Sequence, residues 1–148
     1  MSHDRLPDHD LPDHVLRWLE ATERRIAREL EPRLGAAERS LWPRRLRVLQ
    51  LVPTAGIRQS ELARRALVTK QALGALVDTL ETDGFLERSP DPDDARAWIV
   101  RPTAAGRRVA ASFDRALRAV EGDLAEVVGT QDYAVFLGVL QRLGADEI

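Results

Sequence analysis

Lys70 and Gln71 follow a capping threonine, Thr69, and open a helical pattern. Glutamine can pair bidentately with an adenine edge, and lysine can donate to guanine acceptors or to a phosphate. Thr69 offers a hydroxyl and the N–H groups of a helix start, both suited to a phosphate oxygen. Gly74, one turn further on, either lets that helix lie close to a duplex or is an ordinary weak helix residue. Gln59 and Ser60 open a preceding short helix, where they are placed to hold backbone phosphates. Further along, Arg96 lies in a charged turn region and can enter a narrow minor groove. Asp94, two residues earlier, either pins the Arg96 guanidinium by a bidentate pair or makes a turn-bracing surface ion pair.

The charge distribution fits that chemistry. The whole chain of 148 residues carries a net charge of −2. Between Leu41 and Lys70, however, seven basic residues (Arg44, Arg45, Arg47, Arg58, Arg64, Arg65, Lys70) meet one acid, Glu61. A local charge of +6 on an acidic body is a footprint for a polyanion. Solvated Arg-rich helix faces would give the same count.

Enzyme chemistry has little to stand on. With no cysteine there is no thiol nucleophile, disulfide or thiolate metal site. The histidines His3, His9 and His14 all fall near the start, beside Asp4, Asp8, Asp10 and Asp13. Two Leu-Pro-Asp-His copies there imply an extended arm over residues 1–10, which is either a metal-binding arm or a flexible one. No phosphate loop or metal pair appears elsewhere, so neither an enzyme nor a cofactor is expected. No apolar run approaches the roughly 20 residues that span a bilayer, and the start lacks a signal-peptide pattern. No membrane partner is expected, and a cytoplasmic protein follows by default.

The elements that must position these residues follow from periodicity. Val15, Leu19, Ile26, Leu30 and Leu34 predict one long amphipathic helix over residues 11–34, stopped by Gly35. A second helix is expected after Ser40, with Pro43 in its first turn and Leu46, Leu49 and Val52 inward. Residues 59–67 form a short helix, Val68-Thr69 a brief turn, and Leu73, Leu76, Val77 and Leu80 the inner face of the next helix, which ends at Gly84. Two short helices joined this way make a helix-turn-helix. The period then changes to that of two strands, 85–89 and 97–101, around a turn at 90–96: a hairpin wing. Thr103 caps a long helix from 104 to about 128, and Gly129 separates it from a last helix over 131–143. Apolar stripes on the terminal helices predict either pairing with a second subunit or packing on each other within one chain.

From Gln59 to Gly106 the text reads QSELARRALVTKQALGALVDTLETDGFLERSPDPDDAR and later TAAG. In order and spacing it resembles the MarR (multiple-antibiotic-resistance regulator) family of winged-helix transcription factors. That family's pattern runs from a capped recognition helix ending L-E-x-x-G through an E-R-x-x-D-P-x-D-x-R wing to L-T-x-x-G. The sequence departs from it at Arg58, where Thr is frequent, at Ala95, where the wing tip carries a second basic residue, and at Pro102, in place of Leu. The resemblance implies a mainly α (α+β) fold: a winged helix-turn-helix with a two-stranded β wing and long N- and C-terminal dimerisation helices. On that basis residues 1–148 form one MarR-like domain, with the DNA-binding lobe at 41–102 and dimerisation helices at 11–34 and 104–148. It implies a homodimer on double-stranded DNA at a pseudo-palindromic operator, acting as a repressor, with release by a small aromatic or anionic effector. Trp18, Trp42 and Arg45, two aromatics and a cation at the junction of the long helices and the lobe, are either the candidate effector wall or, for the large aromatics, core residues. The alternative is a winged-helix module that docks a protein and binds no DNA directly.

Overall fold

The computed structural model describes residues 13–145; the arm expected over residues 1–10 lies outside them. Helix α1 (Val15–Leu30) starts at His14, whose Nδ1 accepts the Arg17 backbone N–H at 3.2 Å. It is shorter than the helix expected over 11–34. Pro32 carries no N–H for a continuing α-helix, and residues Glu31–Arg33 tighten into a 3-10 turn instead. Beyond that turn, two short helices replace the single one expected after Ser40: α2 (Ala36–Leu41) and α3 (Arg44–Gln50). Ser40 lies inside α2, where its hydroxyl donates to the Ala37 carbonyl at 2.7 Å, and does not cap a following helix. Pro43 again sets the boundary between the two helices.

The lobe is built on α4 (Gln59–Arg65), α5 (Lys70–Thr82) and an antiparallel sheet of strands β1 (Ile57–Arg58), β2 (Leu86–Asp91) and β3 (Asp94–Pro102). Strand order is β1-β3-β2, so the two-stranded wing gains a third strand that the local pattern did not signal. Both wing strands also run longer than expected. Ser89 pairs with Ile99 and Pro90 with Trp98, leaving only Pro92 and Asp93 at the tip. Pro90 is tolerated because β2 is an edge strand and the register shifts there.

One core ties the pieces together. Leu46 and Leu49 of α3, Leu62 of α4, and Leu73, Val77 and Leu80 of α5 are buried with Leu86 and Val100 of the sheet. Val109, Phe113 and Val120 of α6 (Ala104–Val128) extend that core toward Leu30 and Leu34. Thr103 caps α6 as expected, accepting the Gly106 N–H at 3.1 Å while its own hydroxyl donates to the Gly84 carbonyl at 2.6 Å. Gly129, at φ 95°, turns the chain into α7 (Thr130–Gly144). The terminal stripes are less covered than the lobe. Val15 is 68% exposed, Val127 61% and Leu143 76%, and α7 contains no buried residue.

Candidate nucleic-acid interface

Helices α4 and α5 meet at a turn held by backbone hydrogen bonds. The N–H groups of Ala66, Leu67 and Val68 donate to the carbonyls of Leu62, Arg64 and Ala63. Leu67 takes the left-handed φ of 54°, a position that a glycine would occupy with less strain. Thr69 accepts the Ala72 N–H at 3.1 Å and starts α5. Its hydroxyl hydrogen stays available to a phosphate. Lys70 and Gln71 stand exposed in the first turn, opposite the buried Leu73, Val77 and Leu80.

Beside them lies a cleft of about 270 Å3, lined by Gln59, Ser60, Lys70, Arg96, Ala97 and Trp98. Four of the residues singled out in the sequence, from α4, α5 and β3, therefore share one concavity. Thr69, Gln71 and Asp94 do not line it. The Gln59 Oε1 is buried there with no hydrogen-bond partner, and the half-buried Gly74 lies behind it. A Cβ at position 74 would make an ordinary contact with Gln59 Nε2 at 3.8 Å, so local packing does not demand a glycine. Trp98, unassigned from sequence, is the aromatic of the cleft and is 49% exposed. Its signal is the strand alternation that puts positions 96 and 98 on one face.

The wing departs from expectation in detail. Asp94 does not pin the Arg96 guanidinium; it accepts the Arg96 backbone N–H at 3.0 Å and closes the tip. Such side chain-to-backbone bonds are the ordinary chemistry of Asp two residues before an N–H. Arg96 is left exposed and, among the described residues, without an ion pair. The buried carboxylate of the wing is Asp91, which accepts the Asp93 N–H at 2.9 Å and the Arg58 Nε at 2.6 Å. The Asp93 N–H, with a smaller contribution from the Arg58 guanidinium, holds the Asp91 carboxyl below its usual range against the opposing effect of burial. On the far side, Arg88 of β2 bridges Asp78 and Glu81 of α5, both at 2.7 Å, and ties the wing to the recognition helix.

Pairing also trims the basic patch. Arg64 and Arg65 both bond Glu61, at 2.7 and 3.1 Å. These bonds, Arg64's first, lower the Glu61 pKa to about 2. Arg58 is paired with Asp91 and Arg45 with Asp83. Of the seven cations counted between Leu41 and Lys70, Arg44, Arg47 and Lys70 remain without an ion pair among the described residues.

The effector wall is not assembled as expected. Trp42 is half-buried and its ring lies 5.7 Å from that of Phe113. Both line a cavity of about 320 Å3 between α1, α3 and α6, where Arg44 and Arg47 supply the cations. Trp18 and Arg45 do not line it. Trp18 sits further toward the start of α1, its indole N–H donating to Asp13 and the Arg17 guanidinium 5.2 Å over its ring. Arg45 turns to the other side of α3 and pairs with Asp83. Among the described residues no cluster of metal-ligating side chains occurs, and no helix is long and apolar enough to cross a membrane.

Comparison with known proteins finds similar sequences and the same fold elsewhere. The MarR family model matches residues 41–97, the span that holds the helix-turn-helix and most of the wing. The HTH-type transcriptional repressor Rv2887 of Mycobacterium tuberculosis is 28% identical over 125 residues, covering 82% of this chain and 90% of that protein. The fold matches that of the transcriptional repressor CouR bound to a 23-mer DNA duplex, with a TM-score of 0.79, 24% identity, and 95% and 99% of the two chains covered. It also matches NadR in complex with 4-hydroxyphenylacetate, with a TM-score of 0.72, 18% identity, and 93% and 97% covered. Family model, relative and fold agree with the geometry of the helix-turn-helix and wing: the chain is similar to the MarR family of winged-helix transcriptional regulators.

Proposed function

We propose that the protein is a cytoplasmic repressor that binds a pseudo-palindromic operator as a homodimer and releases it when a small aromatic anion binds. The observation that carries the DNA contact is the cleft beside α5, which Lys70 and Arg96, the latter without an ion pair among the described residues, line together with Gln59, Ser60 and Trp98. Lys70, Gln59 and Ser60 hold phosphates on one edge of the recognition helix, with Thr69 at its start. Gln71 reads a base edge, and the wing carries Arg96 toward the minor groove. Asp94 acts through the wing tip it closes, and Gly74 allows the helix to sit close to the duplex. A DNA-bound relative of the same fold supports this assignment.

Dimerisation rests on the apolar surface that one copy leaves uncovered, chiefly Val15, Leu16, Val127 and Leu143 on the terminal helices. Residues 41–102 then form the DNA-binding lobe, and the helices within 11–34 and 104–148 form the dimer. The effector site is the Trp42–Phe113 cavity, with Arg44 and Arg47 as carboxylate partners; the ligand in NadR is an aromatic carboxylate of that kind. Without bound aromatic acid the dimer holds DNA, and occupancy shifts α3 and α6 away from the DNA-competent arrangement.

Footprinting on the protein's own promoter region, with fluorescence anisotropy across a salt series, tests the proposal. Expected are two protected half-sites with centres about 34 Å apart and an affinity that falls steeply with salt. A flat salt response with no protected site would point instead to a winged-helix module that docks a protein.

A further inference from the structure

Trp98 lies on β3, on the strand face it shares with Arg96 and Val100. Val100 is fully buried in the lobe, so that face turns toward the core, and Trp98 stands where the core gives way to the surface. Strand β1 pairs Arg58 with Ile99 and then ends, because the chain turns into α4 at Gln59. The register that would set residue 59 beside Trp98 is broken off there, and a gap opens between β3 and the starts of α4 and α5. Among the described residues the Trp98 ring makes no ring or cation contact, and its N–H makes no hydrogen bond. Pro90, opposite it on β2, is exposed too, so the indole does not seal the interior of the hairpin. Half of a large apolar ring is thus left in water, a burial gain that the chain alone forgoes.

The neighbours of the ring define what would cover it. Lys70 and Arg96 line the same gap without an ion pair among the described residues, and Ser60 adds a hydroxyl. Two uncompensated cations beside a flat apolar face suit a chain that alternates anions with hydrocarbon. A sugar–phosphate strand is such a chain: its phosphates meet the cations and its deoxyribose C–H groups meet the ring. A free phosphate would leave the indole bare, and the faces of duplex bases are already covered by their stacked neighbours. A duplex that takes α5 in its major groove and the wing in the adjacent minor groove must also pass one strand between the two elements, and this gap is the space between them.

We infer that Trp98 is a DNA-contact residue, its ring packed on a deoxyribose of the strand between recognition helix and wing and its N–H donating to the adjoining phosphate. The contact rests on the proposed DNA-binding function and adds to it an apolar component. It brings no charge and reads no base edge, which separates it from Lys70 and Arg96, whose loss lowers the salt slope, and from Gln71, whose loss lowers discrimination.

Anisotropy titrations across a salt series test it, on the full-length protein with a duplex from its own promoter region and a random duplex of equal length. Trp98→Ala should weaken both duplexes at least about fivefold per half-site, as loss of aromatic packing on a nucleotide does, with the slope of log affinity against log salt unchanged. Trp98→Phe, which keeps a ring and loses the N–H, should recover most of that loss. In protein labelled with fluorotryptophan, the fluorine resonance that Trp98→Phe removes should shift on adding either duplex. The Trp18 and Trp42 resonances of Trp98→Ala should keep their wild-type positions, showing the fold intact. Wild-type affinity in Trp98→Ala, or a Trp98 resonance that ignores DNA, would overturn the inference. So would a loss confined to the promoter duplex, which makes Trp98 a base reader, or a slope lowered by about 0.9 per subunit, which makes it only a support for a cation. A wild-type protein that binds neither duplex would refute the repressor function itself and the contact with it.

Discussion

Gly106→Ala should destabilise the protein although alanine is the better helix former. Gly106 lies in the first turn of α6, where that helix leaves the winged lobe. A Cβ there would sit 2.0 Å from the Phe85 carbonyl oxygen, 3.0 Å from its carbon and 3.3 Å from Leu49 Cδ1. The oxygen cannot swing aside freely, because it accepts the Thr103 N–H at 3.1 Å. Relief requires α6 to retreat by about 1 Å, enough to forfeit a quarter to a half of the contact energy where it packs. Overpacking of this kind costs about 1–3 kcal/mol, and a weakened backbone hydrogen bond about 0.5–1.5 kcal/mol more. The helical preference of alanine over glycine returns about 1 kcal/mol. A net loss of about 0.5–3.5 kcal/mol follows, read as a lower urea midpoint at fixed protein concentration. Gly122→Ala in the same helix, where a Cβ meets nothing within 4 Å, should be neutral or stabilising by up to about 1 kcal/mol. Promoter DNA should bind Gly106→Ala more weakly, because the retreat moves α6 relative to α5. Equal midpoints for the two variants would refute the close approach of α6 to Phe85.

Gln71→Ala should cost about 1–3 kcal/mol per half-site on the operator and little on random DNA, lowering the discrimination ratio in anisotropy titrations. Arg96→Ala should weaken specific and non-specific binding more evenly and reduce the slope of log affinity against log salt by about 0.9 per subunit, with Ala95 supplying no substitute charge. An unchanged slope in a folded dimer would remove the wing from the DNA contact. The Glu61 pKa, lowered from 4.5 to about 2, gives stability that is fully present above pH 4.5 and is lost as pH falls toward 2. Glu61→Gln should therefore show a shallower acid limb in denaturation between those pH values, and an identical limb would mean that the Arg64 and Arg65 bonds do not persist in solution.

What could be read from residue order, and what could not, divides along the range of the interactions involved. The recognition helix and α6 were legible because each announces itself locally: a threonine cap, an apolar face at helical spacing, and a glycine after the last turn of α5. Thr69 and Thr103 make those cap bonds at 3.1 Å. The short helix α2 was not legible, since six residues between Gly35 and the Trp42–Pro43 boundary hold too little periodicity to detect. Strand β1 is two residues long and exists only because Val100 and Ile99 of β3 lie alongside Ile57 and Arg58. No local pattern can signal a partner some forty positions away.

The same distinction governs the site. Counting charges between Leu41 and Lys70 finds a basic patch, but not which cations are free, because the neutralising acids come from elsewhere. Arg45 meets Asp83 and Arg58 meets Asp91, pairs that only the folded lobe creates. Among the described residues, those pairs leave Lys70 and Arg96 lining one cleft, and Arg44 and Arg47 beside the two cavities around α3. A patch that looked uniform in sequence is thus divided by folding into Lys70 with Arg96 at one cleft and Arg44 with Arg47 at another.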